Sequence, residues 1–182
     1  MEFSQYPIGT KKLTLVTDPR GYNRFFVHRD FEFWQDGKNI GRIASIWSIV
    51  DMNTRALVHP QTVIPDNPRI IPFEKQPDDL DFAKIKPIEK IDFEEEFKVR
   101  YNDIDVNGHA NNGNYIVWAF EPLDYDFRTN HNIKTLDIIY KKEAKCGEKV
   151  IVNIEQKDNL TTCHVLKNIQ GEELCLVECH WV

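Results

Sequence analysis

Only one stretch of this 182-residue chain carries a convincing helical pattern. Tyr115, Trp118, Ala119 and Leu123 recur at three- and four-residue spacings, the period of a helix with one buried face. Directly before it, Ile91, Phe93, Phe97, Val99 and Tyr101 share one parity, with charged residues between them. That alternation predicts a half-buried strand. The other regular segments also alternate: Leu13 with Leu15, Phe25 to Phe33, Leu136 to Tyr140, Val150 to Ile154, Cys163 to Ile169 and Leu174 to Trp181. Ile40 to Asp51 is apolar on both faces, as a central strand is. Turns are expected at Gln35-Asp36-Gly37-Lys38, Cys146-Gly147-Glu148 and Gln170-Gly171-Glu172, and a loop at Asp18-Pro19-Arg20-Gly21. Pro122 ends the helix near Glu121. One helix and seven or eight strands in hairpin order imply an α+β fold, an antiparallel sheet with the helix on one face.

Six of the nine prolines fall between Met52 and Lys90, which reads as a linker. A faint repeat flanks it. Gly37 to Trp47 spans the same distance as Gly171 to Trp181, with Ile40 matching Leu174. Gly9-Thr10-Lys11-Lys12-Leu13 resembles Gly147-Glu148-Lys149-Val150-Ile151. Two related halves follow, residues 1–58 and 91–182, joined by a linker at 59–90. Carried backward, the pairing sets Met1 opposite Ile139. The first half then lacks counterparts of the strand, polar cluster and helix of the second. Trp47 and Trp181, at matching places, are read as core.

A formal charge of −6 argues against a nucleic-acid binder. No apolar run reaches the roughly 18 residues of a membrane span, and no signal peptide is visible. Cys146, Cys163, Cys175 and Cys179 show no CxxC spacing; they are expected as reduced thiols in a cytoplasmic protein, not as metal ligands. No phosphate-binding loop appears, so no cofactor is expected.

The polar cluster lies where the strand breaks and the helix begins. Asn111 or Asn112 is placed to cap the helix, and Gly108 and Gly113 allow tight turns. The backbone N–H groups at Asn111, Asn112 and Gly113 are candidates to hold a developing oxyanion. Asp105, Asn107 and His109 alternate, so in an extended segment they point the same way. An Asp or Asn before a helix ordinarily only caps it, and capping or solvation is the reading for Asp103 and Asn114.

These residues resemble the acyl-acyl carrier protein thioesterases, whose D-x-N-x-H-x-N-N stretch reads here Asp105-Val106-Asn107-Gly108-His109-Ala110-Asn111-Asn112, followed by Tyr115-Ile116 and Trp118. Tyr140-Lys141-Lys142-Glu143 resembles a second functional stretch. Arg29-Asp30-Phe31-Glu32, Gly37, Ile40-Gly41, Ala44-Ser45, Trp47 and Asp51-Met52-Asn53-Thr54-Arg55 resemble first-half counterparts. The resemblance implies a hotdog fold: two tandem halves, each an antiparallel sheet wrapping a helix, the first lacking its first strand and helix. The apolar face so left open would be exposed, or buried against another chain as in a homodimer. The resemblance also implies hydrolysis of acyl-[acyl carrier protein] to free fatty acid, with acyl-CoA a second substrate. Asp105 is nucleophile or water-orienting group, Asn107 and His109 position water or polarise the carbonyl, and Glu143 is the second acid/base group. Plant members have a cysteine where this chain has Ala144, so a cysteine nucleophile has no support here. Lys141, Lys142, Lys145 and Lys149 are the expected docking patch for an acidic carrier protein. The alternative is a non-catalytic hotdog protein that binds acyl chains or acyl carrier protein.

Overall fold

The computed structural model describes residues 1–63, 65, 68 and 71–182. Ile64, Asp66, Asn67, Arg69 and Ile70 of the expected linker lie outside the described residues. Two compact units, Met1–Asp81 and Phe82–Val182, divide the chain, and the division falls inside the stretch read as a linker.

In Met1–Asp81 the strands are β1 (Glu2–Phe3), β2 (Thr14–Asn23), β3 (Phe26–Gln35) and β4 (Lys38–Ser48). They pair antiparallel in the order β2-β3-β4-β1. Asp36 and Gly37 both take positive φ, 51° and 74°, the conformation that closes a two-residue hairpin. Strand β2 runs straight through Asp18–Gly21, where a loop was expected. Pro19 is tolerated because β2 is the outer strand of this sheet, and a register shift between Pro19 and Gly21 absorbs the irregularity. Gly21 has φ 110°, and a Cβ there would come within 2.5 Å of the Ile71 carbonyl oxygen. That close approach lets Ile71 to Phe73 strap the strand: Tyr22 N–H donates to Ile71 O at 2.9 Å and Phe73 N–H to Tyr22 O at 2.7 Å. A short helix, α1 (Pro60–Val63), belongs to the same unit. A cavity of about 270 Å³ opens between Arg20, Asp30, Arg42 and Asp79. Its Arg20 is already paired with both Asp30 and Asp79.

In Phe82–Val182 the strands are β5 (Phe93–Lys98), β6 (Ile133–Tyr140), β7 (Lys149–Asp158), β8 (Thr161–Asn168) and β9 (Glu173–Trp181), in the antiparallel order β6-β9-β8-β7-β5. A 3₁₀ turn, Tyr101–Asp103, precedes α2 (Asn112–Phe120), and α3 (Tyr125–Asn130) follows it. Strand β5 stops at Lys98, so Tyr101, expected on the buried parity, is 84% exposed. Helix α2 ends at its C-cap Glu121, ahead of Pro122. The α3 turn, capped by Asp124, was not foreseen.

Helix α2 buries Tyr115, Trp118, Ala119 and Phe120. Below it lies the sheet face carrying Val150, Val152, Ile154, His164, Leu166, Cys175, Val177 and Cys179, all buried. Each large apolar side chain so covered stabilises the fold by about 1.5–3 kcal/mol. The opposite face is partly covered by the end of the expected linker. Ile85 and Ile88 pack on Val165 and Leu176, and Glu89 N–H donates to the Glu155 carboxylate at 2.8 Å.

The strands of the two units share one plan, β2-β3-β4-β1 against β7-β8-β9-β6. Gly37 and Gly171 turn the matching hairpins with φ 74° and 81°. Among the described residues, Met1–Asp81 holds no counterpart of β5 or α2. The matched tryptophans show the consequence: Trp47 is 51% exposed, Trp181 only 6%. The reading of Trp47 as core is therefore corrected.

One buried network ties α2 to the sheet. His164 is fully buried; its Nδ1 donates to Ala119 O at 2.6 Å and its Nε2 accepts from the Thr162 hydroxyl at 2.8 Å. Trp181 Nε1 donates to the same hydroxyl oxygen at 2.9 Å. Burial pushes the imidazole down from 6.5 to about 4, so it stays neutral in the folded chain. The unfolded chain binds a proton on this residue below about 6.5 while the folded chain resists until about 4. Stability is therefore complete above that window and falls as pH drops through it. Urea midpoints measured from pH 7 to 4 should decline, and less steeply in a His164→Phe chain. Thr162→Val, which strips the shared hydroxyl, should cost about 1–3 kcal/mol in the same assay.

Candidate active site

The site grows from the end of β5. Val99 is buried, and its backbone exchanges hydrogen bonds with Glu148 O at 2.8 Å and Gly147 N at 2.9 Å. The chain then tightens into the Tyr101–Asp103 turn. Asp103 is 4% exposed and its carboxylate accepts from Arg100 N–H at 2.7 Å. Its carbonyl accepts from Asn111 N–H and from the Asn114 amide, both at 2.8 Å. Asp103 and Asn114 thus shape the start of α2, the structural part given them from sequence.

Residues 104–110 form a small hairpin, not an extended run. Ile104 and Ala110 bridge antiparallel. Asp105 N–H donates to His109 O at 2.9 Å, and Gly108 N–H to Asp105 O at 3.1 Å. Gly108 turns the tip with φ 81°. The expectation that alternation aims Asp105, Asn107 and His109 together is corrected: a turn, not a strand, relates them. Asp105 lies opposite His109 across the hairpin and its carboxylate accepts from Asn107 N–H at 2.8 Å and the Asn107 amide at 3.4 Å. His109 Nε2 stands 3.3 Å from Glu143 Oε2, the imidazole 19% exposed and the carboxylate 56%. The four expected residues therefore form two pairs, Asp105–Asn107 and His109–Glu143, joined by the Asp105–His109 backbone bond.

Glu143 is brought in by the segment after β6. Ala110 N–H donates to Ala144 O at 2.8 Å, which lays this segment beside the hairpin. Ala144 itself is fully buried.

Of the three N–H groups expected to hold an oxyanion, two are committed. Asn111 N–H goes to Asp103 O, and Gly113 N–H to the capping Asn111 side chain at 2.8 Å. Asn112 N–H has no partner among the described residues, so that role narrows to Asn112. The expected docking patch is also changed. Lys141 pairs with Glu173, Lys142 with Glu172 and Lys149 with Glu96, so glutamates balance most of its charge. Burial raises the thiols of Cys163 and Cys175 to about 11 and 12, where they are poor nucleophiles.

One site residue was missed. Tyr115 stood in the sequence as part of the buried helical stripe, yet its hydroxyl accepts from Ala144 N–H at 2.8 Å and donates to Lys142 O at 3.4 Å. The available signal was a tyrosine on the apolar stripe of a helix, since a buried phenol must find partners.

The Acyl-ACP thioesterase C-terminal domain model matches residues 86–182, and the N-terminal domain model matches residues 1–66. The chain belongs to the acyl-ACP thioesterase family. It is 27% identical over 178 residues to oleoyl-acyl carrier protein thioesterase 2 of Arabidopsis thaliana, covering 89% of this chain and 45% of that protein. It is 28% identical over 179 residues to a dodecanoyl-[acyl-carrier-protein] hydrolase of Umbellularia californica, covering 88% and 44%. The chain thus spans under half the length of these relatives. Among solved structures, the 12:0-ACP thioesterase from Umbellularia californica matches with TM-score 0.87 at 20% identity, covering 100% of this chain and 72% of that one. An acyl-ACP thioesterase from Bacteroides thetaiotaomicron matches with TM-score 0.83 at 22% identity, covering 100% and 73%. The hotdog architecture of this acyl-ACP thioesterase family member is thereby established.

The geometry separates two neighbouring carboxylates. Asp103→Ala should destabilise by about 1–3 kcal/mol, because it leaves a backbone donor without its partner. Asp105→Ala, whose partners are local and exposed, should stay within about 0.5 kcal/mol of wild type. Denaturant unfolding of the two variants checks both.

Proposed function

We propose that the chain hydrolyses the thioester of acyl-[acyl carrier protein] and releases free fatty acid. The observation that carries this reading is the hairpin that sets His109 3.3 Å from Glu143 while Asp105, opposite His109, is fixed by the neighbouring Asn107. Two carboxylates and an imidazole around one loop, on a thioesterase-family fold, suit water-driven acyl transfer better than simple binding. In this reading a water held by Asp105 attacks the thioester carbon. The His109–Glu143 pair takes the water's proton and returns it to the departing thiolate. Asn112 N–H, at the start of α2, steadies the negative oxygen in between. The carbon–oxygen bond forms first and the carbon–sulfur bond breaks as the tetrahedral oxyanion collapses, so water and thioester give acid and thiol and no cofactor enters the balance.

Acyl carrier protein is the proposed partner, and acyl-CoA presents the same bond as a second substrate. No helix among the described residues is long and apolar enough to cross a membrane; the cytoplasm, where the chain's free thiols stay reduced, is the proposed compartment. A homodimer is the proposed way of covering the exposed apolar side chains on β2 to β4, Leu15 and Trp47 among them.

Thiol release from acyl-[acyl carrier protein] by the purified chain tests the function. Asp105→Ala, His109→Ala and Glu143→Gln should each lower kcat by about 10²–10⁴-fold with folding retained. Full activity in Asp105→Ala would remove that residue from the mechanism. A folded wild type that retains an acyl species in native mass spectrometry without turning it over would favour the binding protein instead.

A further inference from the structure

We infer that Tyr115 is the positioning residue of this site: one phenol oxygen grips the backbone on both sides of Glu143 and so sets its carboxylate against His109. The inference rests on the thioesterase reading for its catalytic consequence, but not for its geometry.

Glu143 needs such a grip. Strand β6 ends at Tyr140, and residues 141–148 run to the Gly147 turn without joining a strand. Lys141 and Lys142 N–H still reach Leu174 O, at 2.8 and 3.2 Å. Beyond them the next backbone bonds are Ala110 N–H to Ala144 O and those of Gly147 and Glu148 to Val99, while the Glu143 side chain is more than half exposed. Tyr115 adds a tether at Glu143 itself. Its oxygen accepts from Ala144 N–H at 2.8 Å and donates to Lys142 O at 3.4 Å, so the residues before and after Glu143 meet at a single atom.

The tether is itself rigid. Tyr115 is 2% exposed and lies in the first turns of α2, packed against Trp118 and Tyr140 with ring centroids 5.4 and 5.8 Å away. Tyr140 in turn donates to Asn112 O at 3.1 Å. Burial raises the Tyr115 phenol above its ordinary range, so it stays protonated and can donate and accept at once. The same helix start that carries Asn111 and Asn112 therefore also fixes Glu143. Ala144 matters here too: its carbonyl takes Ala110 N–H at 2.8 Å, so one peptide links the tyrosine to the hairpin bearing His109.

Tyr115 is buried and its hydroxyl is committed to the backbone around Glu143. It acts through Glu143, and a double-mutant cycle separates that from a general structural role. Tyr115→Phe should lower kcat at least tenfold while KM stays within twofold. In a Glu143→Gln background the same change should do nothing further. Losses that multiply across the two variants, or a Tyr115→Phe chain with wild-type kcat, would overturn the inference.

A second readout does not depend on turnover. The imidazole ¹⁵N signals of His109 should move in Tyr115→Phe towards their positions in Glu143→Gln, because both variants release the same contact. Signals left at their wild-type positions would overturn the inference. If the signals move as expected in a wild-type background that shows no hydrolysis, the thioesterase reading fails and the positioning stands. Should Tyr115→Phe not fold, 3,5-difluorotyrosine at position 115 keeps the packing and weakens the oxygen as an acceptor. The His109 signals must then shift in the same direction, or the inference falls.

Discussion

The grip of helix α2 on one sheet face is the constraint on which the rest depends. It is secured at both ends by polar contacts that hydrophobic burial alone would not specify. At the start, Asp103 O takes both Asn111 N–H and the Asn114 amide. At the far end, Ala119 O takes buried His164 Nδ1. Between them Trp118 stacks on Phe97 and Phe120 meets Trp181, ring centroids 6.5 and 5.4 Å apart. Apolar contact is non-directional and sets how strongly the helix is held. The hydrogen bonds set where along the sheet it stops. That placement matters because the start of α2 carries the N-cap, the Asn112 N–H, unpartnered among the described residues, and Tyr115. A helix slid by one residue would bring a different side chain to Ala144 and lose the approach of Glu143 to His109.

Much of this was legible in the sequence because it depends on periodicity. Alternation marked the strands, and the spacing of Tyr115, Trp118 and Ala119 marked the helix. The shared distance from Gly37 to Trp47 and from Gly171 to Trp181 marked two units of one plan. Candidate site residues came instead from resemblance to a family stretch: D-x-N-x-H and Glu143 are local words. Their arrangement is not local. Alternation of Asp105, Asn107 and His109 reads as a strand until Gly108 turns the chain, and only the bond from Asp105 N to His109 O shows that the segment folds back. The lysines around Glu143 read as a basic patch until Glu172, Glu173 and Glu96 arrive from other strands. Pro19 and Gly21 read as a loop, since the strap at Ile71 to Phe73 that turns them into a bulged edge strand lies fifty residues away. In each case the missing information was a contact distant in sequence, invisible to a reading of neighbours.

The strands of the two units offer a controlled comparison of what a covering helix does. Both tryptophans satisfy their indole N–H within the sheet, Trp47 on the Ser45 hydroxyl at 2.7 Å and Trp181 on Thr162 at 2.9 Å. Hydrogen bonding is therefore solved by the strands alone. Burial is not. Under α2 the face is apolar and close-packed, with Thr162 and His164 admitted only because each is fully bonded. On the matching face of β2 to β4, Arg29 donates to Thr17 at 2.8 Å in the open, and Leu15 is 56% exposed. An arginine could not sit beneath a helix like α2 without a partner for its charge, since burying an unpaired charge costs several kcal/mol. The polar row of Thr17, Arg29 and Ser45 thus marks this face as chemically different from its counterpart, not as a copy waiting for the same lid. Two halves built on one strand order have diverged in what their faces can cover. The candidate site lies in the half beneath α2, where among the described residues the start of that helix lies beside a buried floor.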